Sequence, residues 1–292
     1  MKFLVLGATG TVGSQVAREL LSRGHQIKAL TRDPAKLASL GAGVEAHKGD
    51  LLEPNSLAGL FDGVDGAFIL NGVSTTESQE GLTALTAAKL AGLKKIVYLS
   101  VQHADRAPYL PHFGSKVGIE AAIKHSGIPY TILRPSNFNQ NENWFRDVIL
   151  KYGVYPQPLG GVGVSRVDVR DIAEAAAIAL TQPGHEGKTY DLIGPRALTG
   201  TETAAIWSKA LGRTITYAGD DLEAWEKANA PYFPAPVLYD FKYMYAHFQK
   251  HGLAGTPEEV ATLTTLLGHA PRSFEAYAAE TAKVWNEQAA TV

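Results

Sequence analysis

The chain contains no cysteine, which excludes a disulfide framework, a thiol nucleophile and a thiolate metal centre. Runs of lysine or arginine are also missing, and the formal charge of −2 comes from mixed signs spread over 292 residues. With no basic patch to draw in a phosphate backbone, direct nucleic-acid binding is not expected. Long apolar stretches are lacking too. The opening run Met1-Lys2-Phe3-Leu4-Val5-Leu6 is too brief for a signal-peptide core, and no segment approaches the roughly 20 apolar residues that span a bilayer. The expectation is a cytoplasmic protein without a membrane partner. Neither a G-x-S-x-G elbow nor a P-loop occurs. His247 and His251 have the i, i+4 spacing of a zinc pair, but a metalloprotease glutamate and a third ligand are missing. A polar helix face is the simpler reading, and no metal is expected.

What is present is a foldable globular chain, 45% hydrophobic and 19% charged, able to bury a large core. Its first half alternates short apolar runs with helical patterns, as βαβ units do. The strand candidates are Lys2–Leu6, Gln26–Thr31, Val44–Lys48, Gly66–Leu70, Lys95–Ser100 and Tyr130–Arg134, with Lys188–Ile193 returning later. They are rich in Val, Ile, Leu and Tyr, which suits strands buried on both faces. Gly24 is placed to end a helix over Thr11–Arg23. Asp33-Pro34 reads as N-cap and first turn of the next helix, and Asp171 as N-cap of an alanine-rich helix to Leu180. Right-handed crossovers then give an α/β fold: a Rossmann doubly wound parallel sheet with a smaller, mainly helical C-terminal lobe. Residues 1–136, with return segments near 164–195, are expected to form the sheet domain, and 137–163 with 196–292 the smaller lobe.

Gly7-Ala8-Thr9-Gly10-Thr11-Val12-Gly13 follows the first strand and opens a helix, a G-x-x-G-x-x-G spacing in the context that a dinucleotide site requires. Glycines there allow a tight turn and close approach of pyrophosphate, and the helix N-terminus offers N–H donors and a favourable dipole. NAD-preferring proteins place a carboxylate about 20 residues further on, at the ribose. Here Thr31-Arg32 occupies that place. A guanidinium grips a 2′-phosphate with charge-assisted hydrogen bonds, so NADP(H) is preferred, with NAD(H) possible. The other reading makes Arg32 a solvated loop charge and gives the ribose to Asp33.

The glycine pattern, Thr31-Arg32-Asp33-Pro34, Gly49-Asp50-Leu51, Asp168-Val169-Arg170-Asp171-Ile172-Ala173 and the closing Pro271-Arg272-Ser273-Phe274-Glu275 together resemble the NmrA-like group of atypical short-chain dehydrogenases over nearly the whole chain. That group includes NADPH-dependent quinone and triphenylmethane-dye reductases and proteins that sense dinucleotide redox state. The resemblance implies that Asp50 and Leu51 lie beside the adenine, that Asn71 and Gly72 border ribose and phosphates, and that Pro135-Ser136-Asn137-Phe138 reaches the nicotinamide side. Each segment also reads as an ordinary turn or strand end.

Short-chain dehydrogenases use a serine and a Tyr-x-x-x-Lys pair. This chain matches in part: Ser100 ends the fifth strand and Lys116 is present, but His112 stands at the tyrosine position. Spacing of four puts His112 and Lys116 on one helical face. Lys116 either holds ribose hydroxyls or is a solvated surface lysine; His112 either donates a proton or merely starts a helix. Loss of the tyrosine disfavours alcohol–ketone interconversion and sugar epimerisation. A quinone or conjugated dye is already activated, so positioning suffices for its reduction. Phe138, Trp144, Tyr232, Phe233, Tyr239 and Tyr243 are expected to supply apolar walls for such an acceptor, between sheet and lobe. The sequence thus points to an NADPH-dependent reductase of an aromatic or quinone-like acceptor. The alternative is a dinucleotide sensor acting through a protein partner.

Overall fold

The computed structural model describes residues 1–290. In chain order its strands are β1 (Lys2–Val5), β2 (Gln26–Thr31), β3 (Val44–Lys48), β4 (Gly66–Ile69), β5 (Ile96–Leu99), β6 (Tyr130–Pro135), β7 (Asn137–Phe138), β8 (Val154–Tyr155), β9 (Val164–Val167), β10 (Lys188–Leu192), β11 (Ala197–Leu198) and β12 (Thr216–Tyr217). The helices are α1 (Thr11–Ser22), α2 (Glu77–Leu90), α3 (Pro111–Lys124), α4 (Arg146–Tyr152), α5 (Val169–Thr181), α6 (Gly200–Leu211), α7 (Leu222–Asn229), α8 (Ala235–His251), α9 (Pro257–Leu267) and α10 (Phe274–Ala290). Two compact units result: Met1–Pro135 with Val169–Leu192, and Ser136–Asp168 with the chain from Ile193 on.

The first unit is the doubly wound sheet that the alternating pattern predicts. Seven strands run in the order β10-β6-β5-β4-β1-β2-β3, every pair parallel. The two central strands Gly-Ala-Phe-Ile of β4 and Ile-Val-Tyr-Leu of β5 are buried at every position, because a parallel sheet is covered on both faces. The edge strand β3, Val-Glu-Ala-His-Lys, stays largely exposed. On one face α5 packs over β4, β5 and β6 and against α1; its buried alanines, including Ala173, Ala175, Ala176, Ala177 and Ala179, let the layers approach closely. On the other, Leu85 and Ala88 of α2 and Ile119 and Ile123 of α3 join Leu4, Ile69 and Tyr98 in one apolar cluster.

The local signals are visible at atomic detail. Gly24 follows α1 with φ +81°, its N–H bonded to Leu21 O and that of His25 to Leu20 O, a Schellman ending. Asp33 caps the segment that begins at Pro34, accepting the Ala35 N–H at 3.1 Å. That segment, Pro34–Leu40, is a 3₁₀ helix rather than an α-helix. The helix expected to start at Asp171 begins at Val169, so Asp171 sits in its first turn and is not the N-cap.

The second unit contains a three-stranded sheet, β11-β9-β7, a β8–β12 pair and six helices among the described residues. Its centre is polar. Arg166, on β9, pairs with Glu142 and donates to the Tyr155 hydroxyl. Glu142 also accepts from Gln157 Nε2 at 2.9 Å and from Trp207 Nε1 at 2.8 Å. The guanidinium lies 4.6 Å from the Phe274 ring centre, and Trp207 stacks on Trp285 at 4.7 Å. Both charges are essentially inaccessible, so each is costly without the other. Glu142→Gln should lower stability by about 3–5 kcal/mol, as removal of one buried partner does. Urea unfolding followed by tryptophan fluorescence, to which Trp207 and Trp285 contribute, measures this; a loss under about 1 kcal/mol would refute the pair's role.

Candidate functional site

The carboxyl ends of the parallel strands carry most of the residues singled out by sequence. At the end of β1 the loop turns through Gly7, with φ +67°, and the Gly10 N–H donates to Gly7 O at 2.8 Å. A Cβ on Gly13 would lie 2.2 Å from Gly7 O, and one on Gly7 would lie 2.9 Å from Leu70 Cδ1. Glycine is thus required by close approach to backbone at Gly13 and by the left-handed φ at Gly7. Thr9, Gly10 and Thr11 are exposed and Val12 is buried. The N-terminus of α1 has no side-chain cap and no acidic residue in its first turn, which leaves its N–H groups and dipole directed at the loop opening.

Next along the edge, the Thr31 hydroxyl both accepts the Asp33 N–H at 3.1 Å and donates to Asp33 O at 3.0 Å, folding the chain tightly around Arg32. The Arg32 side chain is 84% exposed and lies 3.8 Å from Asp50 Oδ2. Asp50 Oδ1 accepts the Leu52 N–H at 3.0 Å, and the Leu51 side chain is part of the core. So Arg32 and Asp50 meet at the β2–β3 end, whereas Leu51 offers only its backbone. The Asp33 carboxylate is engaged as a helix cap.

On the other side of β1 the structure places Asn71, Gly72, Ser100, Lys116 and His112. Lys116 is 5% exposed, which overturns the solvated-lysine reading. Its ammonium sits 2.8 Å from Glu77 Oε1 and donates to the carbonyls of Asn71 at 3.0 Å and Leu99 at 3.3 Å. It also lies 5.5 Å from the Tyr98 ring centre, a cation–π contact. Burial, then the charges of Glu77 and Glu120, push the Tyr98 phenol well above its usual pKa. Being fully buried, Tyr98 does not take the place of the missing tyrosine. His112 is buried near the start of α3, edge-on to Phe113 at 4.7 Å. Ser100 is buried at the end of β5, where its N–H donates to Leu133 O.

Pro135 ends β6, while Asn137 and Phe138 form β7 in the second unit. Of the expected aromatic walls, also in that unit, Trp144, Tyr232, Tyr239 and Tyr243 are exposed, and the last two rings lie 4.5 Å apart. His247 and His251 have ring centres 4.8 Å apart; burial and the charge of His251 lower the His247 pKa. Two residues escaped sequence reasoning. Glu77 carries no motif, and Gln102, fully buried just beyond β5, has both amide atoms without a hydrogen-bond partner in the protein.

The site fits a dinucleotide. The uncapped glycine-loop helix suits a pyrophosphate, and the buried Asn71 amide also has no protein partner for either polar atom, as expected of a group that meets a polar ligand. Geometry and fold together define a Rossmann-type dinucleotide-binding protein with a buried lysine, Lys116, on α3 and a histidine, not a tyrosine, four residues before it. Comparison with known sequences identifies its kind: the chain belongs to the NmrA-like family, which matches residues 1–278. It is 37% identical to an NAD(P)H azoreductase of Xenophilus azovorans over 94% of this chain and 96% of that protein. Among solved structures it resembles an NADPH-dependent quinone oxidoreductase from Escherichia coli complexed with NADPH, with TM-score 0.84, 28% identity and coverage of 97% and 99%. A Citrobacter sp. triphenylmethane reductase complexed with NADP(H) gives TM-score 0.83 at 27% identity, covering 96% and 99%.

A second charge cluster stiffens the same edge. Arg134 of β6 donates to Glu120 of α3 through Nε at 2.9 Å and Nη2 at 2.8 Å, and to Asp105 at 3.1 Å. Burial alone would raise the Glu120 carboxyl, but the hydrogen bonds and charge of Arg134 outweigh it and hold the group below its usual value of 4.5. A depressed carboxylate contributes stability above its unfolded pKa and loses it as pH falls through the folded one. The melting midpoint should therefore decline below about pH 4.5, and Glu120→Gln, less stable at neutral pH, should decline less steeply. Parallel melting curves of the two proteins across that acid range would count against the linkage.

Proposed function

We propose that this protein is an NADPH-dependent reductase of a conjugated acceptor, such as a quinone or an azo or triphenylmethane dye. The observation that carries the reading is the end-to-end likeness to reductases named for those acceptors. The site chemistry agrees with it. Bound NADPH would supply a hydride to an acceptor already activated by conjugation. The protein's own residues then need only bind, orient and exclude water.

In this reading the first-turn N–H groups at Thr11, Val12 and Gly13 hold the pyrophosphate, with Gly7, Thr9 and Gly10 shaping the loop. Thr31 fixes the turn that presents Arg32 to the 2′-phosphate. Asp50 lies at the adenine side with the backbone of Leu51. Asn71, Gly72 and Ser100 border the ribose and nicotinamide, and Lys116 orders their strand ends. Pro135, Asn137 and Phe138 serve the nicotinamide side. His112 takes the place of the tyrosine one turn before Lys116 on α3, where its imidazole serves as the proton donor. NADH is a secondary donor, because nothing in its ribose rewards the Arg32 guanidinium.

Steady-state oxidation of NADPH and NADH against a panel of quinones, azo dyes and triphenylmethane dyes tests the proposal. Acceptor-dependent turnover favouring NADPH is expected. Tight NADPH binding without turnover on any member would replace the reductase by a dinucleotide sensor acting through a protein partner. Arg32→Ala should weaken NADPH binding roughly tenfold, about 1.4 kcal/mol, and NADH binding less than about twofold. The effect should shrink at high salt, since the side chain is exposed. Equal losses for the two nucleotides would remove Arg32 from the selectivity site.

A further inference from the structure

The buried pair Glu77–Lys116 asks for an explanation beyond packing. Two opposite charges, 1% and 5% exposed, stand on helices whose neighbouring residues Ala84, Leu85, Ile119 and Ile123 belong to the apolar core. For stability alone an apolar pair of the same volume would serve as well or better. What the pair does is join elements. The Lys116 ammonium forms an ion pair with Glu77 at the start of α2 and donates hydrogen bonds to Asn71 O after β4 and Leu99 O at the end of β5. The neighbouring glycine supports a built arrangement. A Cβ on Gly81, one turn along α2 from Glu77, would lie 2.5 Å from Ile119 Cδ1 of α3 and 3.2 Å from Asn71 Oδ1. A side chain there would displace Ile119, so glycine at this position lets α2 and α3 pack as they do beside the Glu77–Lys116 pair.

We infer that Glu77 is a positioning residue for the nicotinamide-side half of the cofactor site: its carboxylate holds Lys116, and through Lys116 the Asn71–Gly72 turn, in the geometry that receives the dinucleotide. The inference rests on the dinucleotide reading above. With its charge paired to Glu77 and two hydrogen bonds made to strand-end carbonyls, Lys116 acts through the turn it holds rather than by reaching out as a free cation. The same turn carries the Asn71 side chain, whose buried amide atoms have no hydrogen-bond partner in the protein. Loss of the carboxylate would leave an uncompensated ammonium in a dry setting, and its release would free the Asn71 carbonyl and let the turn drift.

Two variants separate positioning from bulk stability. Glu77→Gln keeps the length and removes the charge; Glu77→Asp keeps the charge, which favours folding, but withdraws it by one methylene. The measurements are the NADPH dissociation constant by fluorescence titration, KM for NADPH and kcat with a quinone acceptor, and the melting temperature. Both dissociation constant and KM should rise, roughly tenfold or more for Glu77→Gln and about threefold for Glu77→Asp, with kcat changed less than about threefold. Glu77→Asp should melt near the wild type. A folded variant that binds NADPH as the wild type does would overturn the inference, and Glu77→Asp decides it if Glu77→Gln does not fold. Wild-type protein that fails to bind NADPH would sink the dinucleotide reading and this inference with it, whereas wild-type binding matched by both variants sinks the inference alone.

Discussion

Where a parallel strand ends, its last carbonyls pass beyond the ladder and still need donors. In this protein a single buried ammonium takes two of them, at Asn71 and Leu99, and ties the ends of neighbouring strands together through one contact. The lysine reaches them only because α3 runs beside the sheet and α2 supplies the opposite charge. Four elements, β4, β5, α2 and α3, therefore share one electrostatic junction. The glycine loop solves the same edge problem differently, by removing side chains so that backbone N–H groups can be offered outward.

The second unit follows related physics around its own charge. Glu142 and Arg166 are separated by 24 residues in sequence and bring together a 3₁₀ segment, β9, α6 and the two-residue strand β8. Very short strands cannot hold register through backbone bonds alone. A directional polar centre, surrounded by the rings of Tyr155, Trp207 and Phe274, limits how these pieces can be arranged. Capping boxes at Thr199–Glu202 and Thr256–Glu259 then set where α6 and α9 begin.

Much of the first unit was legible because its signals are local. Apolar runs marked the strands of the parallel sheet to within a residue, and the spacing of Gly7, Gly10 and Gly13 located the turn at β1. The errors have local causes too. Pro34 and Asp33 do start a helix, but Pro34–Leu40 tightens into 3₁₀ geometry, which residue preference does not distinguish. Asp171 looked like an N-cap, yet acidic residues are equally favourable one turn inside a helix. The contacts that complete the site were not legible: Glu77 lies 39 positions from Lys116, with no periodicity to connect them. Nor did the residues of β7, β8, β11 and β12 form patterns long enough to stand out.

Arg32 and Lys116 sit at opposite extremes of structural commitment. The arginine side chain projects from a turn held by Thr31 and touches little besides Asp50, so exchanging it leaves the folded state nearly untouched. The lysine is bound into four elements and cannot be exchanged alone. Over evolutionary time the two positions should therefore drift at different speeds: the exposed arginine can be revised by a single change, while the buried lysine and the elements tied to it are inherited nearly intact.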